Sequence, residues 1–332
     1  MRIAIAGCHY GHIGGIIRSA ALAQDAEIVG VAEADSKSID RYKDLAGVTR
    51  YGSLEEMLDK AKPGLVLEGV THPEKVILVE TCAAAGAHIL LDKPLCRTRD
   101  ELDRITAAVN AGGIRLSMFF TSRFHPQFVA LREAVESGAI GSIVSYISTH
   151  PHKFGGGNGF FFEPGAYAGV FHDLACHGVD QLRFLTGAEC AGVHAVGSSI
   201  HKRTGEQTFA ADHVQASYTM SDGSCGLLTA DWLTSSKAPS WGDTRVIVMG
   251  TKGSAHLSAY SSDSLSIISD EKGAYTPELP EPGIDRFLPD MIAALENGDE
   301  PFISTQDVLA VARSCIAAEE SVEESGRFVQ VA

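Results

Sequence analysis

The chain lacks a long apolar run, has few basic residues and has no paired-cysteine motif, and each lack removes a class of function. No stretch of its 332 residues is apolar for the length a helix needs to cross a bilayer. A membrane is therefore not expected as a partner. Lys and Arg number 27 against 42 Asp and Glu, for a formal charge of −15. Such a surface repels phosphate backbones and anionic lipid, so no nucleic acid is expected either. The seven cysteines (Cys8, Cys82, Cys96, Cys176, Cys190, Cys225 and Cys315) are odd in number and form no CxxC pair. They read as reduced thiols of a cytoplasmic protein, not as a disulfide framework or a zinc ribbon. The N-terminus reaches Gly7 after one short apolar run, too early for a signal peptide. The nearest approach to a metal motif is His150-Pro151-His152, and no carboxylate stands beside it. No metal is expected.

What is present suits a globular protein of two domains. Hydrophobic residues make up 45% and charged residues 21%, enough for a sizeable core. The first third alternates short apolar runs with amphipathic stretches. Arg2–Ala6, Glu27–Ala32, Leu65–Val70, His88–Leu91 and Ile114–Phe119 read as strands, with helical patterns between them. Their unbroken apolar character predicts a parallel sheet buried on both faces, a doubly wound Rossmann-like α/β domain. After about Phe124 the pattern changes. Half-buried runs at Ser142–Ser148, Val214–Thr219, Gly226–Leu233, Arg245–Met249 and Leu265–Ile268 predict an open, mostly antiparallel sheet in an α+β domain. His172–Leu185, Ile284–Glu296 and Thr305–Glu323 read as helices. The expected domains are 1–122 and 123–332.

Two constellations carry chemistry. The first is the turn after the first strand, Gly7-Cys8-His9-Tyr10-Gly11-His12-Ile13-Gly14. A strand, a glycine-rich turn and a helix opening place a pyrophosphate at a helix N-terminus. His9 stands where a second glycine is usual, so the turn alone is a weak signal. Glu33, at the end of the second strand, is about twenty residues further on, where an acidic side chain suits a ribose 2′-hydroxyl. Its charge would repel a 2′-phosphate, which favours NAD over NADP; Lys37 nearby could soften that preference. A solvated charge at a strand end reads the same.

The second constellation is Asp92-Lys93-Pro94 after the fourth strand, together with Asp173 and His177. Ligands of such sheets bind beyond the carboxyl ends of strands, where Lys93 could point into a crevice. Asp173 and His177 are four apart, so on a helix they share a face. An imidazole can take up a proton near neutral pH, and a carboxylate beside it can orient it. Spacing alone leaves a capped, solvated helix equally open, with Asp173 as an ordinary N-terminal residue.

In order along the chain, Gly7 to Gly14, Glu33, Asp92-Lys93-Pro94, Ser122 to Pro126, Asp173-Leu174-Ala175-Cys176-His177 and Val248 to Ser254 resemble the glucose–fructose oxidoreductase/inositol dehydrogenase/MocA family. The resemblance spans nearly the whole chain. It departs at Asp92, where the family usually has Glu, and in the glycine turn. It implies hydride transfer between a nicotinamide cofactor and a sugar, polyol or related hydroxyl compound. It further implies that His177 takes the hydroxyl proton, that Asp173 orients His177 or the substrate, and that Lys93 steadies the reacting oxygen. Gly7, His9, Tyr10, Gly11, His12, Ile13, Glu33, Thr71, His72, Asp92 and Lys93 are expected to bind the cofactor. Lys93, Arg123, His152, Asp173 and His177 are expected to face the substrate; Arg123 has a second reading, as a brace. A homodimer or homotetramer built on the open sheet follows from the same resemblance. Trp232 and Trp241 read as packing or interface residues, and Glu319, Glu320, Glu323 and Glu324 as a solvated helix face. The alternatives are a NAD-dependent glycoside hydrolase of the same fold, a non-catalytic dinucleotide-binding regulator, and a metal enzyme using the histidines.

Overall fold

A computed structural model describes residues 1–9, 12–155, 159–199 and 211–331. Tyr10 and Gly11 of the expected cofactor turn lie outside the described residues, as do Gly156, Gly157 and Asn158. The chain forms two compact units: 1–119 with 285–309, and 120–284 with 310–332.

The first unit holds β1 (Arg2–Ala6), α1 (Ile13–Leu22), β2 (Glu27–Ala32), α2 (Ser36–Asp40), β3 (Arg50–Tyr51), α3 (Leu54–Ala61), β4 (Leu65–Glu68), α4 (Lys75–Ala84), β5 (His88–Leu91), α5 (Arg99–Gly112) and β6 (Leu116–Met118). The strands form one sheet in the order β3-β2-β1-β4-β5-β6, every pairing parallel. This is the expected Rossmann-like doubly wound sheet. Ile3, Ala4, Ile5 and Leu65 to Leu67 are fully buried, as strands covered on both faces must be. Local chemistry agrees with the layout. The Thr98 side chain accepts the Glu101 N–H, Asp100 and Glu101 open the first turn of α5, and Gly113 ends it at φ +62°. The order reverses between β1 and β4, the switch point beyond which such sheets bind ligands.

The second unit holds α6 (Pro126–Glu136), β7 (Ile143–Pro151), a π-turn (Phe171–Ala175), α7 (Cys176–Thr186), β8 (Cys190–Ser198), β9 (His213–Met220), β10 (Cys225–Asp231), β11 (Thr244–Gly250), β12 (Gly253–Ala259), β13 (Ser264–Ser269) and β14 (Gly273–Tyr275). Three elements follow: α8 (Phe287–Asn297), α9 (Thr305–Glu323) and β15 (Val329–Gln330). The second sheet runs β14-β13-β12-β11-β7-β10-β9-β8-β15. It is antiparallel except where β10 pairs with β7. Tyr146, Ser148 and His150 on one face of β7 are buried, while Ile147 and Thr149 on the other are partly open. That alternation is the expected half-buried pattern.

Residues 285–309, with α8, group with the first unit. Phe287 meets Phe119 edge-on at 5.4 Å, and the Ser117 hydroxyl donates to the Ile303 carbonyl at 2.9 Å. A single cut near residue 122 has no place for this return, because an amphipathic helix pattern does not say which surface it packs on.

Candidate active site

In the first unit the site begins at Gly7. Its φ of +80° lies in the left-handed region, and a Cβ there would sit 2.6 Å from Val70 Cγ1 and 2.8 Å from the Gly69 carbonyl carbon. Only glycine fits. The turn is laced to its neighbours: the Gly7 N–H donates to the Ala32 carbonyl, and the His9 N–H donates to the Gly69 carbonyl. Helix α1 opens with no acidic residue in its first turn and no cap from its own side chains. The bare backbone at Gly7 and the uncluttered opening of α1 fit a dinucleotide pyrophosphate.

Two carboxylates hold this corner from behind. Glu33 accepts the Cys8 and Asp35 N–H groups, both at 2.8 Å, and His9 Nε2 lies 2.8 Å from it. The second imidazole nitrogen of His9 meets the Ser38 hydroxyl at 3.3 Å. Arg41 is a cation beside them, bound to the Cys8 carbonyl and the Ser38 hydroxyl. The Asp92 side chain is wholly buried and accepts the His12 N–H at 2.5 Å and the Lys93 N–H at 2.8 Å, with His12 Nδ1 at 3.0 Å. Burial opposes its charge, but His12, Lys75 and Lys93 outweigh that and hold the carboxyl well below the usual range. Asp92 thus positions the turn; its oxygens are committed to protein donors.

Lys93 follows β5, is nearly buried, and joins Pro94 through a cis peptide bond. Behind it lies an ion pair the sequence reading missed. Lys75 Nζ donates to Glu68 at 2.7 Å and to the Asp92 carbonyl at 2.6 Å, all three side chains being buried. Its one signal was a charge closing an apolar strand and another opening an apolar helix. Thr71 is partly exposed and engages Glu74 through its N–H and hydroxyl. His72 is fully buried.

In the second unit the helix expected over His172–Leu185 is not uniform. A π-turn carries Asp173, and α7 begins at Cys176. Such turns are rare and recur at functional sites. Asp173 is buried and His177 partly exposed. Phe120 stands edge-on to the His177 ring at 5.8 Å. The Tyr167 hydroxyl donates to Asp173 at 2.9 Å and accepts from Trp232 Nε1 at 3.2 Å. His152 packs against Trp232 and Trp241, each at 5.8 Å between ring centroids. The fold thus brings His152 and Asp173 into one aromatic cluster.

Arg123 faces the other way. It is buried, grips both oxygens of buried Asp180 on α7 at 2.8 and 2.5 Å, and lies over the Phe184 ring at 4.2 Å. These contacts make it a brace for α7, the second of its two readings. Glu319 corrects the expected solvated face. It is partly buried, and its carboxylate accepts the Phe171 and His172 N–H groups at 2.9 and 3.2 Å. Burial pushes it up to about 7, against those two donors. Of the expected residues, Lys93 belongs to the first unit, and Asp173, His177 and His152 to the second. Among the described residues there is no cluster of three or more His, Cys, Asp or Glu able to hold a metal ion, and no helix long and apolar enough to cross a membrane.

Comparison with known proteins matches residues 1–120 to the oxidoreductase family with NAD-binding Rossmann fold. Residues 128–256 match the GFO/IDH/MocA C-terminal domain. The chain is 26% identical to the myo-inositol 2-dehydrogenase of Thermotoga maritima, over 98% of its own length and 97% of that protein's. It is 26% identical to the inositol 2-dehydrogenase of Rhizobium meliloti, over 90% of each. An Agrobacterium radiobacter oxidoreductase, solved with NAD+, L-tartaric acid and magnesium, superposes at a TM-score of 0.83 with 19% identity, over 100% of this chain and 98% of that one.

Proposed function

Because the chain belongs to the GFO/IDH/MocA family of NAD-binding oxidoreductases, we propose that it oxidises a ring hydroxyl of a polyol or sugar, with catalysis at Lys93, Asp173 and His177. The observation that carries this is Asp92, whose buried carboxylate accepts from both the opening of α1 and the backbone of Lys93. One group thereby sets the cofactor turn and the lysine together. Gly7, Ile13 and the first turn of α1 receive the pyrophosphate, Glu33 and His9 line the ribose corner, and Thr71 lies in the connection that follows β4. Bound NAD supplies the redox chemistry by exchanging a hydride with the substrate carbon.

The side chains handle the proton and the oxygen. His177 in its neutral form takes the hydroxyl proton, so oxidation gains rate as pH rises through its titration. Asp173 orients that imidazole and balances the charge it acquires. Lys93 donates to the reacting oxygen and steadies its developing negative charge. His152, set against Trp232, faces the substrate. Free thiols at all seven cysteines suit a cytoplasmic enzyme. The open face of the second sheet supports a dimer or tetramer: Leu227, Ile147 and Ile247 lie in register across β10, β7 and β11.

A panel of inositols and aldoses with NAD and NADP, followed by absorbance of the reduced cofactor, tests the assignment. Turnover of a polyol or sugar with NAD preferred is expected. Clear preference for NADP overturns the coenzyme assignment. Glycoside cleavage with tightly held cofactor and no net reduction overturns the dehydrogenase assignment.

A further inference from the structure

We infer that Tyr167 is a positioning residue for the proton-handling pair, locking Asp173 in its ionised form and in one orientation. This rests on the assignment of Asp173 and His177 above. The direction of each hydrogen bond follows from donor chemistry. An indole Nε1–H can only donate, so the Tyr167 oxygen must accept from Trp232, at 3.2 Å. The single hydroxyl hydrogen is then committed to Asp173 Oδ2, at 2.9 Å. A hydroxyl with a free rotor would be ambiguous; this one is not.

Packing fixes the ring as firmly as the hydrogen bonds fix its tip. Phe161 stacks on Tyr167 at 4.4 Å with 28° between the planes. Trp232 is itself nearly buried, with Phe161 and His152 against it. Tyr167 precedes the π-turn and Trp232 follows β10, so two separate segments converge on one carboxylate.

Asp173 needs such a donor. It is almost fully buried, and burial disfavours its charge. The carboxylate of Glu319, against the Phe171 and His172 N–H groups at the start of the same turn, repels it. His172 shares its turn, and α7 behind it carries Cys176, His177, Asp180 and Arg183, of which Asp180 is paired with Arg123 and Arg183 with Glu189. A phenol O–H aimed at Oδ2 offsets both costs. The chain Trp232, Tyr167, Asp173 also ties the aromatic wall around His152 to the proton-handling pair.

The test compares Tyr167→Phe with the wild type. The variant keeps the ring and its stacking and removes only the donor. The first measurement needs no substrate: titration of the His177 imidazole by nitrogen-15 NMR, assigned with His177→Gln. Without the donor the Asp173 charge is less stabilised, so Asp173 takes up a proton more readily and holds a proton on His177 less strongly. The His177 midpoint is therefore expected to fall by about half a pH unit or more. The second measurement is the pH profile of kcat on the polyol identified above. Its acid limb should move the same way and turnover should fall about 10–100-fold, as for a lost hydrogen bond to a charged group, with Tm within a few degrees. Trp232→Phe should give a smaller shift of the same sign. An unmoved His177 midpoint overturns the inference, as does a loss of turnover that merely tracks a loss of Tm. If the wild type oxidises no polyol, the dehydrogenase assignment falls, and the NMR titration still decides the role of Tyr167.

Discussion

Glu319 belongs to an acidic run that reads as a solvated face, yet it anchors the turn bearing Asp173. Its folded value of about 7 stands above its ordinary 4.5. The folded state therefore keeps a proton that the unfolded chain has released between those values. The stability from this group is full below about 4.5 and is lost as pH rises through about 7. Glu319→Gln keeps an acceptor for both amides without the charge. Thermal melts should give it a higher Tm than wild type at pH 8 and an equal one near pH 5. A lower Tm at pH 8 would mean that the carboxylate is worth more as an anchor than its burial costs. Glu33 gives a second test at this scale. With its charge gone, Arg41 and Ser38 remain, and Glu33→Ala should raise the NADP-to-NAD ratio of kcat/KM by about tenfold or more. An unchanged ratio would remove Glu33 from coenzyme choice. Lys93, Asp173 and His177 stand out in the sequence because each residue type is tied to its chemistry. The Asp180 partner of Arg123 and the donors that hold Asp92 were not legible, because a sequence shows what a side chain can do and not which partner already holds it.

Among the elements, α7 is the one whose placement matters most. Arg123 grips it through Asp180, and His150 packs against Gly178. A Cβ at Gly178 would lie 2.2 Å from His150 Nε2 and 2.9 Å from Leu228 Cδ2. His150 cannot retreat freely, since Nε2 also meets the Ser148 hydroxyl at 2.9 Å. Gly178→Ala should cost about 1–3 kcal/mol by overpacking and lower turnover by shifting His177. Chemical unfolding measures the first effect; full wild-type stability would contradict the packing described. The strands of the first unit were readable because burial on both faces leaves them uniformly apolar. Strands β8 and β12 were not, since CAGVHAVGS and GSAHLSA mix small and polar residues in the manner of turns. The π-turn was invisible because π and α backbones draw on the same residues. Tyr167 could not be foreseen from a glycine- and aromatic-rich loop, for its contact is made by the fold.

At the scale of the whole molecule, the order of strands and motifs named the family, while the return of residues 285–309 to the first unit left no trace in composition. The outer face of the second sheet exposes Leu227, Met249 and Ile268 at 43%, 40% and 46%, more apolar surface than a solitary sheet face usually leaves to water. Leu227→Lys with Met249→Lys should convert the expected dimer or tetramer to a monomer in light scattering. A wild type already monomeric at micromolar concentration would contradict the assembly. The central claim is hydride exchange with NAD through Lys93 and His177. It is tested most directly by kcat of Lys93→Ala and His177→Ala on the best polyol of the panel, with NAD affinity measured alongside. Each substitution should lower kcat by about 100-fold or more, the usual scale of a lost proton-transfer group or oxyanion donor, and NAD should still bind. Full turnover in both variants would contradict it.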